Sequence, residues 1–335
     1  IPHIKSDEIL AKAIQMSGYN KPKRKQVGRG LALAQWLPLG GEGHGLVTVG
    51  EGGEITVSTA MVDQGAGTYT AMRQVAAHEL QVAVDEVNFE ILDTSRAAAD
   101  TGVGASRATR IFGNSIHTAA LQVKERLLQG ASEMLGVAQE QLTFSGTGAV
   151  RAANGKQVSY RDIVKRLAAP IRVEGSYKNF DNGPEAAMCV QVAEVEVDVE
   201  TGEIRLRQFA TAHSTGTVIN PLMHQGQIDG GVVTAIGYSL MEQLIIDHGR
   251  VTTTNFGESK IPSMRDIPPL KTVIQESPVG NGPYGGMSIG EPPVLVAAAA
   301  IASAVHDAVG VRIFDLPITA EKVLRAMTRK NGVVG

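Results

Sequence analysis

Glu291 is the residue whose setting most invites chemistry. It closes a glycine-dense loop, Gly280-Asn281-Gly282-Pro283-Tyr284-Gly285-Gly286-Met287-Ser288-Ile289-Gly290, and is followed by Pro292-Pro293 and an alanine-rich apolar run that ends at Gly310. Proline suits the first turn of a helix, where its missing N–H has no partner to lose. A glycine after the last turn suits the left-handed residue that closes one. The spacing therefore predicts a carboxylate at the positive end of a buried helix, on a loop bare enough for a bulky group to approach. Such a carboxylate can serve as a general base. From local chemistry alone the plainer reading is a capping carboxylate that complements the helix dipole.

Two further glycine turns feed helices. Gly65-Ala66-Gly67-Thr68 follows a predicted strand with Ile55, Val57 and Thr59 alternating, and precedes a helix carrying Ala71, Met72, Val75, Ala76 and Leu80. Thr101-Gly102-Val103-Gly104-Ala105-Ser106-Arg107 follows a second strand (Val87, Phe89, Ile91) and precedes a long helix burying Ile111, Ile116, Ala119, Ala120, Val123 and Leu127. Free N–H groups in a first helical turn can hold an anion. Ser106 and Arg107 are placed to meet a ligand, or equally to serve as an N-cap and a surface arginine.

Other motifs match only on paper. Gly280-x-Gly282-x-x-Gly285 lacks the strand before it that a dinucleotide site needs, and Pro283 interrupts it. Gly286-Met287-Ser288-Ile289-Gly290 spells a nucleophile elbow without the apolar strand that should precede Ser288, so a Ser288 hydrolase is a runner-up. His78-Glu79 begins a zinc motif, but Val82 occupies the second ligand position. His213, His224 and His306 read as hydrogen-bonded structural residues.

The elements that must position these residues come next. Residues 6–18 read as a helix with Ser6 as cap, Ile9 and Ala13 on its inner face and Gly18 closing it. The glycine-rich stretch 40–53 reads as a loop or hairpin, and 146–184 as polar and turn-rich with a short helix near 159–168. A long hairpin is expected over 188–209, with a bulge where the apolar face shifts after Val192. A small-residue helix is expected over 226–242, and a final one over 317–328 burying Val323, Leu324 and Met327. The boundary between two units falls at 175–186.

Composition narrows the function classes. The 335 residues carry a net charge of −3 with 4% aromatics, which indicates neither a basic groove nor a stacking platform for nucleic acid. The most apolar run, 293–305, has the length of a buried helix rather than the roughly 20 residues of a span. Lys5, Asp7 and Glu8 interrupt any secretory signal at the start, and the missing initiator Met suggests a processed chain or a piece of a longer one. Cys189 is the sole cysteine, so iron–sulfur ligation by this chain is excluded and any electron transfer needs a non-covalent cofactor or another chain. A cytoplasmic location is compatible with that cysteine usage.

Taken in order, the pieces resemble one family. They are Gly65-Ala66-Gly67-Thr68, Asp93-Thr94, Gly104-Ala105-Ser106-Arg107 and Asn220-Pro221 with Gly226-Gln227-Ile228-Asp229-Gly230-Gly231. Lys260-Ile261-Pro262, Asp266-Ile267-Pro268, Gly290-Glu291-Pro292-Pro293, Asp307-Ala308-x-Gly310 and Leu316-Pro317-x-Thr319 complete them. Spread over nearly the whole chain, they resemble the C-terminal half of the large subunit of molybdenum hydroxylases, the xanthine dehydrogenase/aldehyde oxidase family.

The resemblance implies an α+β fold of two mixed α/β subdomains of a molybdopterin-binding domain, with glycine-rich loops feeding helix N-termini. The first is expected over 1–180, and the second, carrying the catalytic glutamate, over 181–335. It implies a multi-subunit oxidoreductase that hydroxylates an aldehyde or N-heteroaromatic carbon with oxygen from water. Glu291 maps onto the base that deprotonates a Mo–OH group. Cofactor contacts map onto Gly65, Ala66, Gly67, Thr68, Gly104, Ala105, Ser106, Arg107, Gln227 and Gly290. The molybdenum is held by the pterin, in some members as its cytosine dinucleotide, so no side chain here is a metal ligand. Expected partners are the upstream half of the molybdopterin-binding subunit, iron–sulfur and flavin subunits that carry the Fe–S and FAD groups, and a small-molecule substrate. Nucleic acid and a membrane span are not expected, and the chain alone is not expected to turn over. A non-catalytic assembly paralogue of the same fold is the competing reading. Two departures stand out: Ala66 occupies a position where the family commonly has glutamine, with Gln64 nearby, and Met287-Ser288 replace a lysine and glycine.

Overall fold

The computed structural model describes residues 5–97, 102–180 and 186–330. Thr101, and the stretch 181–185 inside the expected boundary, lie outside the described residues. The chain opens with helix α1 (Ser6–Ser17) and strand β1 (Val27–Trp36). A run of alternating types follows: β2 (Gly41–Val49), β3 (Ile55–Thr59), α2 (Thr68–Leu80), β4 (Val87–Ile91) and the long α3 (Ala108–Leu135). After it come β5 (Leu142–Phe144), β6 (Ala149–Ala152), β7 (Gln157–Ser159), α4 (Tyr160–Leu167) and β8 (Ile171–Asn179).

The second half holds β9 (Ala187–Val197), β10 (Ile204–Thr215) and α5 (Pro221–Leu240), then the small hairpin β11 (Ile246–Asp247) and β12 (Arg250–Val251). It ends with α6 (Phe256–Ser259), β13 (Leu270–Glu276), α7 (Ala297–Val309) and α8 (Ala320–Lys330). This is the mixed α/β architecture expected, organised on two four-stranded sheets of order β4-β3-β2-β8 and β1-β9-β10-β13.

Each sheet is covered by a helix brought unusually close by glycine. In the first sheet α3 lies across β2 and β8, and a Cβ on Gly45 would fall 2.3 Å from Ile116 Cδ1. One on Gly175 would fall 2.1 Å from the carbonyl oxygen of Ser115. In the second sheet α7 lies across β1 and β9, and a Cβ on Gly28 or Gly30 would sit 2.0 Å from the carbonyl of Ala304 or Ala300. Side-chain-free strand positions therefore let helix backbone rest directly on sheet backbone. Of the two readings of 40–53, the hairpin holds: residues 41–49 are strand and pair antiparallel with β3 across the turn at 50–54, and Gly43 and Gly45 serve packing rather than turning. The stretch 146–184 is more ordered than expected, holding β6, β7, α4 and β8.

The β4-β3-β2-β8 sheet ends at Asn179 and β9 begins at Ala187, but β1 crosses over and pairs antiparallel with β9 from Val27↔Glu196 to Trp36↔Ala187. Helix α1 packs on β9, β10 and β13. Strand pairing and helix packing therefore run across the expected 1–180 and 181–335 division, with β1 in the sheet of the second half. Pairing between strands so far apart in the chain leaves no local mark in a sequence, because each strand's own pattern is unchanged by which neighbour it meets.

The face shift in β9 has a simple cause. Val190 and Val192 pack against Ile9 and Ala13 of α1, whereas Ala193, Val195 and Val197 pack against α7, so both faces of this central strand are buried and no bulge is needed. The register shift lies on the partner strand, between Leu206 and Gln208. Helix α5 begins at Pro221, earlier than expected, because Asn220 caps it by accepting from the Met223 amide at 3.1 Å. In α1, Lys5 and not Ser6 is the capping residue. Residues 292–309 are long and apolar enough, by length and composition, to cross a membrane, more than the run 293–305 suggested. In this fold their inward positions Ala297, Ala300, Ile301, Ala304 and Val305 are fully buried in the core beneath the second sheet.

Candidate functional site

Three loops meet in the groove between the halves. The first is 62–68, where Gly65 (φ 88°) and Gly67 (φ 74°) take left-handed conformations that only glycine adopts freely, delivering the chain to the N-terminus of α2. Asp63 organises this turn, accepting from the Gly65 amide at 2.8 Å and the Tyr69 amide at 3.3 Å. A Cβ on Gly67 would sit 2.4 Å from Met223 Cγ, so this glycine also admits α5 from the other half.

The second is 103–107. Gly104 (φ 140°), Ala105 (φ 49°) and Ser106 (φ 54°) form a run of left-handed backbone before α3. Two consecutive non-glycine residues in that region are strained, and such strain concentrates where a binding or catalytic geometry is enforced. The third is 280–291, which ends in a short 3₁₀ turn over Pro292–Val294 that leads into α7.

These loops line a cavity of about 310 Å³. Of the sequence-predicted residues, Ala66, Gly67, Thr68, Gly104, Ala105, Ser106, Arg107, Gln227, Gly290 and Glu291 all border it. Gly65 stands just outside the lining with open space where a side chain would be. Gln64, the neighbour of the departing Ala66, also borders the cavity.

The centre of the arrangement is Ser106. Its hydroxyl donates to Glu291 Oε2 at 2.8 Å and accepts from the Glu291 backbone N–H at 2.8 Å, while its carbonyl accepts from the Ser288 hydroxyl at 3.0 Å. A Cβ on Gly290 would lie 3.2 Å from Ser106 Oγ and 3.5 Å from Gln227 Oε1, so Gly290 is the point where two of the loops and α5 come together. Glu291 occupies the capping position of the 3₁₀ turn, yet its side chain caps nothing. Its carboxylate is tied to Ser106 across 185 residues of sequence instead, partly buried and facing the cavity.

Arg107 borders the cavity and also braces the turn it stands in. Its guanidinium donates from Nε to the Gly102 carbonyl and from Nη1 to the Gly40 carbonyl, both at 3.1 Å, so it ties down the turn. Ser288 is buried, and its hydroxyl is committed to a backbone carbonyl rather than to a histidine.

His224, read from the sequence as a hydrogen-bonded structural residue, has its Nδ1 buried with no hydrogen-bond partner among the described residues. It stands three positions before Gln227 on α5, the spacing that puts both on one face, and it borders the cavity. Burial lowers its pKa to about 4 against the opposing pull of the Glu276 charge, so it is neutral. His213, fully buried on β10 with Nε2 2.8 Å from Thr211 Oγ1, is pushed down to about 3 by burial and by the neighbouring His224. Thr68 is buried at the cavity wall with its hydroxyl oxygen lacking any protein partner. Among the described residues no group of three or more His, Cys, Asp or Glu side chains could hold a metal ion.

Comparison with known proteins points the same way. A family model described as molybdopterin cofactor-binding domain matches residues 7–268. A probable hypoxanthine oxidase of Escherichia coli (strain K12) is 32% identical over an alignment covering 96% of this chain and 35% of that protein. The 6-hydroxypseudooxynicotine dehydrogenase complex subunit gamma of Paenarthrobacter nicotinovorans is 31% identical over 89% of this chain and 39% of that protein. Among solved structures, quinoline 2-oxidoreductase from Pseudomonas putida 86 superposes with a TM-score of 0.87 at 27% identity, covering 97% of this chain and 46% of that one. CO dehydrogenase from Oligotropha carboxidovorans shares the fold at a TM-score of 0.85 and 20% identity, covering 98% of this chain and 45% of that one. The chain spans less than half the length of each of these proteins.

Proposed function

The chain belongs to the molybdopterin cofactor-binding domain family of the molybdenum hydroxylases, and from that premise we propose that its cavity holds one face of a molybdenum–pterin cofactor with Glu291 as the catalytic base. The residues present fit such a group. The cavity wall has a left-handed glycine with open space at 104, with a second at 65 just beside the lining, and a buried Thr68 hydroxyl left without a protein partner. Both favour a flat ligand edged with hydrogen-bonding atoms, approached closely by backbone. When bound, that cofactor supplies a two-electron redox centre that oxidises a substrate carbon with oxygen derived from water.

The protein's part is to bind, orient and move a proton. Backbone at 65–68 and 104–106, the Thr68 hydroxyl and the Gln227 amide supply donors and acceptors to the pterin. Ser106 holds Glu291 Oε2 with one hydrogen bond, leaving Oε1 to accept the proton. The Ser106 bond to the Glu291 amide fixes the backbone of the same residue, so the carboxylate swings little. The observation that carries this reading is the pair of hydrogen bonds between Ser106 and Glu291 where the loops meet.

The complete enzyme includes the remaining half of the molybdopterin-binding subunit, which the relatives carry and this chain does not span, with iron–sulfur and flavin groups on partner polypeptides. Its substrate is an aldehyde or an N-heteroaromatic, and its cofactor a molybdopterin carrying molybdenum. Glu291→Gln in the assembled enzyme keeps a hydrogen-bond acceptor for Ser106, so molybdenum and pterin content should stay at the wild-type level. Turnover should fall by about 10²–10⁴-fold, the usual contribution of a general base. Turnover within a few-fold of wild type at full molybdenum loading would refute the assignment. An assembled wild-type complex containing no molybdenum would favour the non-catalytic paralogue.

A further inference from the structure

Away from the cavity, Glu79 on α2 is a buried carboxylate with only 6% of its surface exposed. The Tyr284 hydroxyl donates to its Oε1 at 3.0 Å, Lys124 Nζ donates to its Oε2 at 3.2 Å, and His117 Nε2 lies 3.2 Å from Oε1. Burial opposes its charge, yet the hydrogen bonds from Tyr284 and Lys124, with the positive charges nearby, bring its pKa below the ordinary value. The Tyr284 ring sits edge-on between the imidazoles of His78 and His117, with both centroid distances 5.0 Å. An ionised group in such a place costs desolvation that a hydrophobic residue would not, so its partners are the reason to look for a role.

Those partners lead to one loop. Tyr284 is a bulky residue at φ 56°, ψ 20°, in the left-handed region, which costs conformational energy unless the surroundings enforce it. Its carbonyl accepts from the Thr217 hydroxyl at 2.6 Å. The Asn281 carbonyl accepts from the Asn114 side chain at 2.6 Å and the Tyr177 hydroxyl at 3.3 Å. Gly113 on α3 leaves room for Pro283, whose Cγ would sit 2.8 Å from a Cβ there. Residues 281–284 are thus held to the first half of the fold by Asn114, Tyr177 and Glu79 and to the second by Thr217, and the same loop, a few residues after Tyr284, delivers Glu291 towards α7.

We infer that Glu79 is a positioning residue: through its hydrogen bond to Tyr284 it sets where the 284–291 loop lies, and so where Glu291 meets Ser106. The link to catalysis rests on the function proposed above; the link from Glu79 to the loop does not.

The test is hydrogen–deuterium exchange on the assembled enzyme, comparing wild type with Tyr284→Phe, Glu79→Gln and Glu79→Ala. Tyr284→Phe keeps the ring between the two imidazoles and removes only the hydroxyl. Losing a hydrogen bond to a charged group should speed exchange over 284–291 by about tenfold or more, with α2 and α3 unchanged. Glu79→Ala should do the same, and Glu79→Gln, which retains an acceptor for the phenol, should restore most of the protection. In Tyr284→Phe, kcat should fall while KM stays. Exchange over 284–291 that is unchanged in both Tyr284→Phe and Glu79→Ala would overturn the inference. So would faster exchange confined to α2 and α3, which marks a purely packing role. A faster loop with undiminished kcat at full cofactor content would leave the loop assignment standing and count instead against Glu291 as the base.

Discussion

Ser106→Ala is the sharpest probe of the site, because one oxygen makes both contacts to Glu291. The hydroxyl donates to the carboxylate and accepts from the Glu291 amide, each at 2.8 Å. A hydrogen bond to a charged group contributes about 1.5–3 kcal/mol, and partial exposure of the carboxylate argues for the lower end. That corresponds to about a tenfold loss of protection at the Glu291 amide, since 1.4 kcal/mol is about a factor of ten. Residue-resolved exchange reads that amide directly. Turnover should fall by about 10–100-fold, because a base released from its tether samples unproductive orientations. The decisive comparison is the double variant with Glu291→Gln. If Ser106 acts only by holding Glu291, adding Ser106→Ala to Glu291→Gln should cost almost nothing further in kcat. Losses that multiply in the double variant would refute the reasoning, since Ser106 would then act on the reaction independently of the carboxylate.

Other expectations follow from the packing and the buried histidines. Gly30→Ala should fail to yield folded protein or lose about 3 kcal/mol or more, because its Cβ would fall 2.0 Å from the Ala300 carbonyl and overpacking against backbone cannot be relieved by a rotamer change. A urea titration that finds it as stable as wild type would contradict the close docking of α7 on β1. His213 and His224 bind protons in the unfolded chain at their ordinary pKa of 6.5 but in the folded chain only near 3 and 4. As pH falls below 6.5 the unfolded state therefore takes up protons that the folded state refuses, and each histidine removes stability at about 1.4 kcal/mol per pH unit until its folded pKa is reached. Denaturant midpoints measured from about pH 7 to about pH 4.5 should fall steadily, with a slope roughly halved in His213→Leu because His224 still contributes; a wild-type profile that is level over that range would show the histidines are not held neutral.

How much of this was legible beforehand depends on the range of the interaction involved. The glycines at 65, 67, 102 and 104, the acid ahead of two prolines and the left-handed Gly310 could be read from the chain, because a backbone angle of positive sign or a missing N–H favours its own residue type locally, whereas the left-handed Ala105 and Ser106 carry no such mark. The helix faces of α2 and α3 could be read for the same reason: their buried positions recur at helical spacing. Composition likewise settled that Cys189 is free, and its thiol is buried on β9.

Tertiary structure alone decided that glycines at 28, 30, 43, 45 and 175 are docking sites in strands, since a glycine that admits a helix and one that makes a turn look identical in a string of letters. It decided that β1 joins the sheet of the second half, that Ser106 holds Glu291 and that Glu79 holds Tyr284. Each of these is a pairing between residues far apart in the chain, and only folding brings such partners within the roughly 3 Å over which a hydrogen bond or a steric contact acts.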